Sequence, residues 1–160
     1  MGNELTIRKQ LDLYPGPIGS ATIVLIDQND EEKRRGNQRG ALVAGLGEWG
    51  ELNMVSLTRA VRAAALRYLL AKIERAGGGG DSVNEAAPPL QLGLCSVLLG
   101  FSSTTNISVA DSLQAIMRGV LEANHQFADG QPLRSARIER LQFVEQFLDV
   151  AITACRELPA

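Results

Sequence analysis

Residues 40–50, Gly40-Ala41-Leu42-Val43-Ala44-Gly45-Leu46-Gly47-Glu48-Trp49-Gly50, run a short apolar strand straight into a glycine-rich turn. Residues 53–77 after it carry apolar side chains at helical spacing. A strand, a tight turn and a helix N-terminus make half of a crossover unit of an α/β fold, and such a turn can aim backbone N–H groups at an anion. This constrains the chain more than any other stretch, because all-α and all-β architectures both fail to provide for it.

Elements can be placed around this unit from periodicity and punctuation. Residues 4–13, with Leu5, Ile7, Leu11 and Leu13, read as an edge strand with a lapse at Lys9-Gln10, stopped by Pro15-Gly16-Pro17. Residues 21–26 are a β-branched strand, and the polar stretch 27–39 is the loop of a hairpin returning through 41–44. Asn53 is placed to cap a helix whose buried face is Leu57, Val61, Ala64, Ala65, Tyr68, Leu69 and Ile73, with Gly77 as its stop. Residues 77–89, rich in Gly and Pro, read as a flexible surface loop.

The uniformly apolar residues 90–100 predict a central strand covered on both faces. Ser108 caps a second helix carrying Leu113, Ile116, Met117, Val120 and Leu121, which residues 124–132 bring to an end. A last strand spans 138–144 and a short amphipathic helix runs from Phe147 towards Leu158. The expected fold is a single α/β domain over residues 1–160, a three-layer α/β/α sandwich on a mixed sheet with right-handed crossovers.

Composition narrows function by exclusion. Lys and Arg number 16 against 18 Asp and Glu, a formal net charge of −2, so no field of one sign exists to attract nucleic acid or a membrane surface. The basic run Lys33-Arg34-Arg35 is neutralised by Asp30-Glu31-Glu32 before it. No stretch approaches the roughly 18 apolar residues of a membrane span, and the expected location is the cytoplasm. A single histidine, His125, rules out a metal site built on paired histidines, and neither a metal nor a cofactor is expected. The two cysteines, Cys95 and Cys155, sit in apolar settings and are expected to be buried thiols.

The glycines Gly45, Gly47 and Gly50 spell G-x-G-x-x-G and so are the candidate phosphate-binding residues. The simpler reading is a tight connection that needs φ > 0. A dinucleotide fold requires a second strand within about 30 residues, ending in an acidic residue. Here the next strand begins near Leu90, and Glu48 and Glu51 put carboxylates where a phosphate would sit. Glu48, Trp49 and Glu51 are instead candidate interaction residues, an aromatic anchor rimmed by charge that suits a basic neighbour.

Cys95 and His125 are a candidate nucleophile and base, the weakest of the readings, since one lies inside a strand and the other towards a helix end. Asp111, Glu145 and Asp149 have no such partner spacing and read as structural acids, Asp111 in a first helical turn where it favours the macrodipole.

Val43-Ala44-Gly45-Leu46-Gly47, followed by a helix with Arg59 and Arg62 among alanines, resembles the N-terminal domain of the leucine aminopeptidase family, whose fold is macro-domain-like. Residues 138–145, leading into Ala151-Ile152 and Arg156-Glu157-Leu158, are similar to that domain's last strand and helix. The octapeptide from Gly45 to Leu52 also resembles the α/β module upstream of caspase-like CHAT domains in some large bacterial proteins. The resemblance implies a macro-like α/β/α fold and no catalysis, because the aminopeptidase metal ligands lie in a separate C-terminal domain. The Asn-rich loop and clustered glycines of ligand-binding macro domains have no counterpart here, so ADP-ribose binding does not carry over. The expected function is a non-catalytic interaction domain of a larger bacterial protein that docks a partner domain or a second protomer. A nucleotide or phosphate module at the Gly45–Gly50 turn is the alternative, and a hydrolase using Cys95 and His125 the weaker one.

Overall fold

A computed structural model describes residues 6–7, 10–11, 15–25, 40–48, 50–77, 90–99, 107–130 and 136–158. Among the described residues, the strands and longer helices follow in the order β1 (Ala21–Leu25), β2 (Gly40–Ala44), α1 (Met54–Gly77), β3 (Leu90–Val97), α2 (Val109–Gly130), β4 (Ala136–Val144) and α3 (Leu148–Glu157). The fold is mixed α/β. The expected loop at 27–39 and, past Gly77, the rest of the one at 77–89 lie outside the described residues, as does Trp49.

Both long helices begin where local chemistry dictates. Asn53 Oδ1 accepts the Val55 and Ser56 amides, each at 3.0 Å, and Ser56 Oγ accepts the Asn53 amide at 2.8 Å, a reciprocal capping box. Ser108 Oγ accepts the Asp111 amide at 3.0 Å and donates to Asp111 Oδ2 at 2.7 Å, repeating the device on α2. Asp111 is thereby a capping residue. The apolar face expected of α1 is the one that packs, with Leu57, Ala64, Ala65 and Leu69 buried.

The sheet differs from the one expected. Among the described residues β1 and β2 form one antiparallel pair, and β3 and β4 a separate parallel pair. On β3 exposure alternates, with Leu92 and Leu94 turned towards the helices while Gly93, Cys95 and Val97 are exposed, so the strand is not covered on both faces. β4 keeps Ala136, Ile138, Leu141 and Phe143 on the helix side across a bulge, while Val144 is exposed: Leu92 pairs with Ile138 and Gly93 with Arg140, leaving Glu139 as the extra residue. Ala136 and Ile138 before the bulge and Leu141 and Phe143 after it therefore pack on the same side, although their spacing breaks a strict alternation.

The core lies between this inner face and α1 with α2, around Ala65, Leu69, Val120, Ala123 and Phe127. Ala154 of α3 joins Leu98, Leu113 and Ile116 in a neighbouring cluster. The two long helices approach closely at Gly119, where an added Cβ would stand 2.8 Å from Val61 Cβ and 2.9 Å from the Thr58 carbonyl oxygen.

Further expectations are corrected. The described residues of the first segment are helical at Thr6, Ile7 and Gln10, and the Leu11 amide donates to Ile7 O at 3.0 Å. Ile7 and Leu11 stand four apart, a helical spacing that the lapse at Lys9-Gln10 already betrayed. α2 continues through Asn124 to Gly130, because the Asn124 side chain is satisfied by β4 and does not compete with the helix backbone. Cys95 and Cys155 are both exposed, since each falls on the outward parity of its strand or helix.

Candidate functional site

The Gly45–Gly50 turn is assembled against residues 16–20. The Gly45 amide donates to Ser20 O at 2.8 Å, the Gly47 amide to Gly16 O at 2.9 Å, and the Glu51 amide to Glu48 O at 3.2 Å. Gly47 and Gly50 have φ of 80° and 92°, the left-handed region that favours glycine. A Cβ on Gly45 would fall onto Pro17 O and Ser20 Oγ. Each glycine therefore has a structural reason. Of the turn's amides, those of Gly45, Gly47 and Glu51 are thus bonded within the chain, and those of Val55 and Ser56 at the start of α1 are held by Asn53. Glu48 and Glu51 are exposed beside them.

The other candidates are dispersed. Cys95 lies on β3, whereas His125 lines a separate shallow depression of α1 and α2 with Arg62, Arg118, Glu122 and Asp129. Glu122 bridges Arg62 at 3.4 Å and Arg118 at 2.9 Å, an ion cluster at the helix–helix surface. Glu145 Oε1 accepts the Gln146 and Phe147 amides at 2.8 and 3.1 Å and so shapes the entry to α3, whose first turn holds Asp149. Among the described residues no three His, Cys, Asp or Glu side chains come together as a metal site, and no helix is long and apolar enough to cross a membrane.

A cleft of about 700 Å³ separates the two strand pairs. One wall is β2, through Gly40, Ala41, Leu42 and Ala44, with Ile23 of β1 beside it; the opposite wall is β3, through the consecutive residues Gly93, Leu94, Cys95 and Ser96, with Gln142 of β4 beside it. Successive residues of a strand point to opposite faces, so a run of them can line a cavity only along the strand's edge. The floor is α1, with Val61, Ala64 and Tyr68. Tyr68 Oη donates to Gly93 O at 3.3 Å, and burial pushes the phenol above its ordinary pKa.

The cleft was not legible in the sequence, yet a signal for it was present. Neither Gly40–Ala44 nor Leu90–Val97 contains a charged residue or a proline, the usual protections of an exposed strand edge. β4, by contrast, carries Arg137, Glu139 and Arg140. No protein-family model, curated protein or solved structure matches the chain.

Proposed function

We propose that this chain is a non-catalytic docking domain whose cleft between β2 and β3 receives a segment of a partner protein. The observation that carries this reading is the character of the cleft, which is walled by strand backbone and floored by apolar side chains. Its titratable side chains among the described residues are Tyr68 and Cys95, and no base lies on its walls to activate the thiol. At the end of β2 the exposed carboxylates of Glu48 and Glu51 suit a basic residue flanking that segment. The turn supports the phosphate alternative less well, because the Gly45, Gly47 and Glu51 amides are bonded internally and the carboxylates of Glu48 and Glu51 stand beside them.

The finer architecture belongs to the same proposal. A sheet completed across the cleft would join an antiparallel and a parallel pair into one mixed sheet, as in the macro-like α/β/α sandwich that the sequence resembles. Membership of the module that accompanies CHAT domains is proposed on the same resemblance.

The test is selection of a phage-displayed random peptide library against a Cys155→Ser protein, before and after Cys95 is alkylated. Enriched peptides that lose binding on alkylation support docking in the cleft. Peptides indifferent to alkylation place the docking surface elsewhere. If no peptide is enriched while ADP or inorganic phosphate raises the melting temperature, the phosphate reading replaces this one.

A further inference from the structure

Both walls of the cleft are strands, and a strand edge without a neighbour presents backbone hydrogen-bonding groups, of which the Gly93 carbonyl already accepts from Tyr68 Oη. β2 is bonded to β1 on one side and β3 to β4 on the other; among the described residues, their remaining edges pair with no strand. Residues of both strands line the one cleft above Val61, Ala64 and Tyr68 of α1. We propose, building on the docking reading, that the cleft takes one extended strand of a partner polypeptide, hydrogen-bonded to β2 on one side and β3 on the other. A single inserted strand turns the two pairs into one five-stranded sheet and satisfies both rows of backbone groups at once.

The walls also specify the strand's side chains. Alternate residues of an inserted strand point towards α1, where Val61 and the small Ala64 leave space for β-branched apolar groups such as valine. The residues between them point to the face that bears exposed Cys95, where polar side chains are at no disadvantage. A charged residue on the α1 side would be buried against Val61 and Ala64, with the Tyr68 hydroxyl, already bonded to the Gly93 carbonyl, as its polar neighbour. The preferred ligand is thus an uncharged, alternating apolar and polar segment.

The occupancy of both edges yields a signature that separates this inference from docking in general. A strand added to one edge uses every second amide pair for bonding, whereas a strand between two neighbours uses all of them. The probe is a capped peptide of alternating valine and threonine, eight residues long to match β3, with single N-methyl groups placed at each interior position in turn. Affinity is read by calorimetry, and amide exchange of the protein is followed with and without peptide.

Each N-methyl group is expected to weaken binding by roughly five-fold or more, the effect of losing one hydrogen bond, with no alternation along the peptide. The β2 and β3 amides that do not bond to β1 or β4 are expected to exchange quickly in the free protein and slowly in the complex. Sensitivity at every second position only would mean that one edge binds and the slot is not filled, overturning the inference. Slow exchange of those amides in the free protein would mean that β2 and β3 already pair directly, which overturns it equally. Binding that is blocked by Cys95 alkylation but indifferent to N-methylation would sink the strand while leaving the docking domain intact. The absence of any peptide binding removes both.

Discussion

The side-chain amide of Asn124 stands in for a neighbouring strand at Ile138. Its Oδ1 accepts the Ile138 amide and its Nδ2 donates to the Ile138 carbonyl, both at 3.0 Å, so a residue inside α2 closes a backbone pair of β4. Asn124→Leu keeps the helix but strands both backbone groups at a partly buried site. It is expected to cost roughly 2–3 kcal/mol, the loss of two hydrogen bonds with incomplete solvation of what remains. Asn124→Asp should be worse than loss of the donor alone, because a carboxylate oxygen then faces the carbonyl. Urea unfolding midpoints of the variants measure both effects, and a wild-type midpoint for Asn124→Leu would show that the pair contributes nothing.

Gly119 sets the spacing of the two long helices. Its missing Cβ is the space occupied by Val61 Cβ and the Thr58 carbonyl, atoms that cannot move without shifting α1 itself. Gly119→Ala would ordinarily gain helix propensity, yet here it is expected to lose about 1–3 kcal/mol to overpacking. Thermal unfolding of Gly119→Ala against the wild type decides the sign.

Gly47→Val is expected to lower the melting temperature whether or not any ligand exists. A β-branched residue at φ 80° is strained, and its Cβ would stand 2.9 Å from Ile18 Cγ1. The cost should fall in the range of about 1–3 kcal/mol for backbone strain. An unchanged melting temperature would remove the structural account of this glycine.

Exposure of both cysteines predicts that Cys95 and Cys155 react with a thiol reagent in the native protein without waiting for unfolding. Only Cys95 lines the cleft, so a bound peptide should slow its labelling and leave that of Cys155 unchanged. Mass spectrometry of partly labelled protein resolves the two sites.

Tyr68 predicts a loss of stability at alkaline pH. Burial raises its folded pKa above the ordinary 10.0, so the folded state holds a proton that the unfolded chain releases. The contribution is complete below the unfolded value and declines as pH rises from it towards the folded one. Lys72, 5.6 Å from the ring centre, works in the opposite direction: burial, and secondarily Arg75, lower its pKa, so its cost is relieved as pH rises towards 10.5. Tyr68→Phe separates the two. The stability of wild type relative to Tyr68→Phe should be constant below about pH 9 and fall above about pH 10, measured by urea unfolding across that range.

What could be read from the sequence was what neighbours in the chain decide. Asn53 and Ser108 cap their helices because donor and acceptor lie within three residues of each other, and that geometry is the same wherever the helix ends up. The strand, turn and helix from Gly40 onwards, and the glycines at Gly47 and Gly50, follow from the same locality, since φ is a property of one residue. The buried face of α1 was equally legible because helical periodicity is written directly into residue order.

Contacts between distant residues decided the rest. Asn124 looked like a helix terminator until Ile138, far along the chain, supplied the partners that let α2 continue. Residues 90–97 looked like a doubly covered strand because apolar composition records what a segment tolerates, while coverage depends on which elements are brought to its two faces. Cys95 is exposed for the same reason, and the cleft it lines exists only because β1–β2 and β3–β4 come to lie on either side of α1. Sequence order therefore determined the elements, their caps and their turns, through interactions a few residues long. Strand pairing, the approach of α1 to α2 at Gly119 and the open strand edges were decided in tertiary structure, where a residue's environment depends on chain segments that its own neighbourhood does not specify.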